Sequence, residues 1–258
     1  MALNQRFGLE CGQGGFDPSH FAELAAVEEG SFWFRSRNEL IVWAIRTYAP
    51  AMASFLEVGC GTGFVLERVA RAFPGAALTG SELFAEGLAF ARDRIPAARL
   101  VQLDASVMPF DAVFDVVGAF DVLEHIEDDR AVLAGMHRAL HPGGRLIVTV
   151  PQHRALWSEE DVRAHHVRRY RAADFRQKAE AAGFRIERMT SFVSLLLPAM
   201  LLSRRFKRAE GAVLRDLRQP AGIDRALAAV MAIERVAIRA KMSFPVGGSL
   251  LVVATRRS

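Results

Sequence analysis

The sequence predicts an α/β protein built on a doubly wound, mostly parallel sheet. Three observations lead there. Apolar strand-like runs alternate with stretches of helical apolar spacing between about residues 54 and 151. The first run, Phe55-Leu56-Glu57-Val58, breaks into the glycine turn Gly59-Cys60-Gly61-Thr62-Gly63 and then into the helix-like Phe64-Val65-Leu66-Glu67-Arg68-Val69-Ala70. Acidic residues recur where successive strands end, the edge at which open α/β sheets bind ligands.

The elements follow in order. Residues 17–50 read as two helices, the first from about Ser19 to Glu29 behind the start signal Asp17-Pro18-Ser19. Between them lies Ser31-Phe32-Trp33-Phe34-Arg35-Ser36-Arg37, three aromatics beside two arginines. It either packs the helices on the sheet edge or closes a pocket as a lid. In the glycine turn, residues without a Cβ let backbone approach a ligand closely, and Cys60 reads as one more small residue. A second strand, Ala76 to Gly80, ends in Ser81-Glu82-Leu83; a carboxylate there can accept both hydroxyls of a ribose. A third, Arg99 to Leu103, ends at Asp104-Ala105, and a fourth, Phe114 to Phe120, runs into Asp121-Val122-Leu123-Glu124-His125. A helix near Asp129 to Leu140, the turn His141-Pro142-Gly143-Gly144 and a strand from Arg145 to Val150 complete this part.

Past that strand the chain turns polar and loses any period, through His153 and Trp157 to His166-Val167-Arg168-Arg169-Tyr170. Histidine beside a cleft suits a general base, so His153 and His166 are candidates. Arg169 and Tyr170 read as structural ties. A helix from Ala172 to Ala182 leads to a strand at Gly183 to Thr190, and a final strand covers Gly248 to Thr255. About 50 residues separate these two strands. They hold the apolar run Phe192 to Leu202, the basic Ser203-Arg204-Arg205-Phe206-Lys207-Arg208 and a helix over Ile223 to Ala240. We read them as a helical cap over the substrate side. The units are then an N-terminal helical lid (1–50), a nucleotide-binding core (51–191), the cap (192–241) and a last edge strand (242–258).

With 51% hydrophobic residues in 258, a sizeable core is available. Cys11 and Cys60 make neither a disulfide framework nor a metal cluster. No apolar run is long enough to span a bilayer, and the segment Met1 to Gly8 lacks a signal core, so a cytoplasmic location is expected. The charge is uneven: residues 1–202 carry 21 Lys and Arg against 25 Asp and Glu, residues 203–258 carry 12 against 4. The basic tail and the apolar run at 192–208 either lie on a membrane surface or form a solvated face over a buried run. The acidic balance of the nucleotide-binding part argues against nucleic acid.

The glycine register is informative. A dinucleotide fingerprint would place its third glycine at position 64, which is Phe64, and Glu57 would repel a pyrophosphate while attracting an amino group. Gly59-x-Gly61-x-Gly63 behind Glu57 resembles the first motif of the class I S-adenosylmethionine (SAM)-dependent methyltransferases, E/D-x-G-x-G-x-G. The resemblance covers roughly residues 54–151, and the segments around Trp33 and His166 also resemble bacterial members. It implies a Rossmann-like sheet of seven strands with an antiparallel last strand, and SAM as cofactor. It implies that Glu57, Gly59, Cys60, Gly61, Gly63, Glu82, Leu83, Asp104 and Ala105 line the cofactor, with Phe120 and Asp121 beside its methyl end. Trp33, Arg35 and Arg37 would close over it, an arginine meeting the methionine carboxylate. His125 is a further candidate base, against a bracing role for Glu124 and His125. Asp121-x-x-Glu124-His125 resembles the metal-binding segment of quinone O-methyltransferases, whose first acid is usually Glu; no metal is assigned. The expected activity is methyl transfer to a small-molecule or lipid-linked acceptor at oxygen. The alternatives are a quinone-type enzyme with a divalent metal, and a catalytically silent SAM-binding subunit.

Overall fold

The computed structural model describes residues 6–7, 17–206 and 219–257. Cys11, Lys207 and Arg208 lie outside these residues. Eight strands form one sheet: β1 (Arg6–Phe7), β2 (Ser54–Val58), β3 (Ala77–Glu82), β4 (Arg99–Leu103), β5 (Phe114–Phe120), β6 (Leu140–Pro151), β7 (Phe184–Phe192) and β8 (Ser249–Arg256). Their order is β1-β4-β3-β2-β5-β6-β8-β7. β1 to β6 pair in parallel, and β8 pairs antiparallel with both β6 and β7. The seven expected strands are present, the last one antiparallel; the two-residue β1 is an added edge. Strand order reverses between β2 and β5, so their carboxyl ends form a crevice. The turn expected at His141 to Gly144 lies within β6, where Gly143 has φ +78° and the β5–β6 register shifts.

The strands alternate as a sheet covered on both faces requires. Phe55, Val116, Leu251 and Val253 face one layer of helices; Leu56, Val58, Val117, Leu250 and Val252 face the other. The first layer holds α2 (Phe32–Tyr48), α3 (Phe64–Ala72), α4 (Ala85–Arg94) and α9 (Ala221–Arg239). The second holds α5 (Asp129–Ala139) and α7 (Ala172–Ala181). Each buried Leu, Ile, Val or Phe in these layers contributes roughly 1.5–3 kcal/mol. Three short helices complete the description: α1 (Phe21–Val27), α6 (Glu159–Arg163) and α8 (Leu197–Phe206).

Two expectations change. The aromatic segment is not a connection between two helices: Trp33 to Arg37 form the first turns of α2. Nothing from Phe32 to Tyr48 breaks a helix, and the amino end is capped from a distance. Ser31 makes no side-chain cap; Asp224 of α9 accepts the Phe32 N–H at 2.6 Å. Second, the main helix of the insert lies alongside α2 rather than over the strand ends. Asp224 pairs with Arg35, Arg235 pairs with Glu39, and Met231 and Ile238 enter the core. The insert begins after Phe192, which ends β7. Val193 and Leu196 of the apolar run are buried, while Leu195, Leu201 and Leu202 are exposed. Among the described residues no helix is long and apolar enough to cross a membrane.

Candidate functional site

The carboxyl ends of β2 to β6 gather the polar residues singled out in the sequence. The glycine turn leaves β2 with Gly59 at φ +65°, Gly61 at +51° and Gly63 at +78°. These angles suit glycine, but the three face different neighbours. A Cβ on Gly59 would stand 2.5 Å from Val122 Cγ2, so this glycine lets the turn pass the loop after β5. A Cβ on Gly61 would meet nothing closer than the Phe21 ring at 3.7 Å, so this is the open side of the turn. Cys60 donates its N–H to Ser81 O and buries its sulfur, which matches its reading as a small residue.

Glu82, at the end of β3, ties the edge together. Its carboxylate accepts N–H groups of Gly61 at 3.0 Å, Leu83 at 2.8 Å and Phe84 at 3.2 Å. Burial raises its pKa despite these bonds. The Leu83 carbonyl accepts from Gln102. Asp104, after β4, caps the short turn beginning at Ala105 by accepting from Ser106 N–H and Oγ. Phe120 ends β5 with its ring in the core, so Asp121 supplies the polar group there.

Asp121 sits at φ +58°, a left-handed conformation that Asp tolerates better than most non-glycine residues. Its carboxylate pairs with Arg37 Nη1 at 2.5 Å and accepts from Thr149 Oγ1 at 3.3 Å. Arg37 also lies over the Trp33 ring, 4.7 Å from its centroid, and its Nε is buried with no hydrogen-bond partner among the described residues. Glu57 is buried beneath the turn with one oxygen likewise unpartnered. Burial drives the Glu57 carboxyl well up, and the Arg37 charge offsets part of this. Arg35 points elsewhere. Residues two apart on a helix face opposite sides, and Arg35 binds Glu29 O and Asp224.

A second cluster follows β5. Glu124, His125 and His166 bring one ligand atom each within 4.8 Å of one another. Neither Glu124 oxygen has a hydrogen-bond partner among the described residues. Burial, then the charge of Asp121, pushes this carboxyl far up. His125 stacks edge-on against His166, and burial followed by that neighbour's charge lowers it to about 3. It is therefore a weak base. His166 Nδ1 lies 2.8 Å from Asp161, whose carboxylate also takes Arg169 Nε at 2.7 Å. Burial alone would raise Asp161, yet these bonds outweigh it and hold the carboxyl well below the usual range. His153 stands at φ +61° after β6 and donates its N–H to Tyr170 O. Arg169 and Tyr170 are structural ties, Tyr170 through Leu123 O and Asp129.

Sequence reasoning missed one connection entirely. Glu28, after α1, is buried and accepts from Thr62 Oγ1 at 2.7 Å while pairing with Arg94 at 2.8 Å. This clamps α1 onto the glycine turn. Thr62 stood in the motif as a hydroxyl, but its partner is 34 residues away and nothing local marks it. Asp161 is legible locally as the partner of Ser158 in a capping box, but its hold on His166 and Arg169 needs the loop folded back on itself.

Residues 56–148 match the family described as a methyltransferase domain. A Mycolicibacterium smegmatis protein named as an S-adenosylmethionine-dependent methyltransferase is 29% identical over 64% of this chain and 63% of its own length. Trans-aconitate 2-methyltransferase of Variovorax paradoxus is 34% identical over 46% of each chain. A ubiquinone biosynthesis O-methyltransferase of Idiomarina loihiensis is 33% identical over 43% of this chain and 48% of its own. The chain thus spans about half to less than two thirds of these relatives. Among solved structures, a TehB-like SAM-dependent methyltransferase of Corynebacterium glutamicum aligns with a TM-score of 0.56 at 20% identity, over 94% of this chain and 100% of its own. The cyclase SpnF aligns at 0.58 and 20% identity, over 99% and 88%; likeness at this level carries the fold, not the reaction.

Proposed function

From the premise that residues 56–148 are a methyltransferase domain of the class I SAM-dependent family, we propose that the protein methylates a hydroxyl of a small-molecule or lipid-linked acceptor. SAM supplies an activated methyl on a good leaving group, so the protein must mainly align, desolvate and move one proton. Glu82 is suited to ribose hydroxyls and Glu57 to the amino group. Arg37, with its unpartnered Nε, is suited to the methionine carboxylate. Trp33 and Phe34 exclude water at that end.

The observation that carries the oxygen assignment is the Asp161–His166 pair beside Glu124. Asp161 fixes His166 by Nδ1, and Nε2, 4.0 Å from Glu124, is the nitrogen suited to take a hydroxyl proton. The test is incubation of the full chain and SAM with phenolic and amine acceptors, read by the mass gain of one methyl. His166→Gln should cost about 10²–10⁴ in transfer while SAM affinity holds. Amine products formed equally well by the variant would refute the reading.

A second reading has its own support. A buried Glu124 without a hydrogen-bond partner among the described residues, His125 and His166, with ligand atoms within 4.8 Å, fit a divalent cation. The metal would polarise an acceptor oxygen, with these three residues as its ligands. Loss of transfer with a chelator and its return with magnesium would favour this version over a histidine base. SAM binding without turnover of any acceptor would leave the silent subunit.

A further inference from the structure

We propose that the groove between α2, α3 and α9, separate from the SAM edge, binds a phosphate group. The groove has a volume of 510 Å³ and is lined by Arg35, Arg46, Arg68, Arg71 and Arg239 with Trp43. It lies on the side of α2 away from Arg37, because Arg35, Glu39, Val42 and Arg46 recur at helical spacing along one face.

The arginines are unevenly neutralised. Arg35 is held by Asp224, and Arg71 by Glu67 across the surface. Glu39, the one acid of the lining, is taken by Arg235 at 2.7 Å. Among the described residues, Arg46, Arg68 and Arg239 have no carboxylate partner. Arg235, behind the groove, is a further cation. Burial lowers it from its ordinary value, with the attraction of Glu39 opposing this and the repulsion of Arg239 adding to it.

A blander account is that Arg46, Arg71 and Arg239 complement the last turns of their own helices. Each helix end presents roughly half a negative charge, about 1.5 for the three helices. Arg71 is already held by Glu67, and the three charges of Arg46, Arg68 and Arg239 exceed what the helix ends offer, so an anion is still favoured. Guanidinium forks match phosphate oxygens in geometry as well as charge. The apolar floor of Val42 and Trp43 suits the group to which the phosphate is attached. The shared chemistry is a phosphate ester, carried either by a free metabolite or by a lipid headgroup.

The test uses the full chain, titrated by calorimetry with inorganic pyrophosphate and floated with equimolar phosphatidylglycerol–phosphatidylcholine vesicles. Arg46→Glu with Arg239→Glu should weaken pyrophosphate binding at least tenfold and leave SAM affinity unchanged. Arg130→Glu with Arg176→Glu, exposed positions on α5 and α7, makes the same charge change on the other face and should leave binding intact. Pyrophosphate binding without flotation assigns a free phosphate ester; flotation lost in the groove variant assigns a headgroup. Binding equally reduced by both pairs would be net charge alone and would overturn the proposal, as would no binding of either probe at low salt. Arg46→Lys with Arg239→Lys keeps the charge and guards against misfolding; it should give an intermediate affinity.

Discussion

Arg37 carries more of the site than any other side chain, and Arg37→Met should reveal it. Its side chain is 9% exposed and that of Asp121 18%. The same guanidinium offsets the buried Glu57 and Glu124. Removing it breaks the pair with Asp121 and takes a compensating charge from two buried acids, and breaking a buried pair costs about 3–5 kcal/mol. For a chain this long, 1 kcal/mol moves Tm by roughly 2–4 °C, so the variant should melt about 6–20 °C lower at neutral pH. The pH dependence separates charge from packing. Burial already raises Glu57 and Glu124, and losing Arg37 raises them further. A carboxyl raised in the folded state destabilises it above that value and stops doing so once protonated. The deficit should therefore shrink as pH falls through these raised values toward the ordinary carboxylate range. Thermal unfolding followed by circular dichroism across that span of pH is the assay. A deficit that stays constant with pH would mean that Arg37 acts through packing on Trp33 and Phe34 alone.

Other expectations concern the frame around the site. Gly59→Ala should cost about 2–4 kcal/mol, because its Cβ would sit 2.5 Å from Val122 at φ +65°. Gly143→Ala, with positive φ but open space, should cost only about 1–2; equal urea midpoints would sink the argument. His125, lowered to about 3 in the fold against about 6.5 unfolded, costs stability as pH falls below 6.5, by up to roughly 1.4 kcal/mol per unit. Denaturation of His125→Gln should lose that slope relative to wild type, and an unchanged slope contradicts the burial assigned to it. Glu234 accepts the Ser194 and Leu195 N–H groups; Glu234→Ala should cost about 1–3 kcal/mol and speed hydrogen exchange at those two amides. Unchanged exchange there would remove this anchor from the account.

The sheet was legible because its signals are local. Phe55 to Gly63, Ser81-Glu82 and Phe114 to Asp121 each state strand, turn and terminal acid within a few residues. The helical packing was less so. Trp33 to Arg37 looked like a connection because the cap that starts α2 comes from Asp224, 192 residues further on. For the main helix of the insert, composition gives no direction. Only the pairing of Arg235 with Glu39 and the burial of Met231 reveal that it joins the α2 layer. At the site, glycines and acids were readable as motif positions, whereas the Glu28–Thr62–Arg94 clamp and the Asp161 hold on His166 depend on tertiary closure.

The central claim is that the edge built from Glu57, the glycine turn and Glu82 binds SAM and not a dinucleotide. Calorimetry of the full chain with SAM, its demethylated product and NAD tests it most directly. The account predicts roughly micromolar or tighter binding for the first two and none for NAD. It also predicts that Glu82→Ala weakens SAM by about 1.5–3 kcal/mol, the value of charged hydrogen bonds to the ribose. NAD binding with no heat from SAM would contradict it.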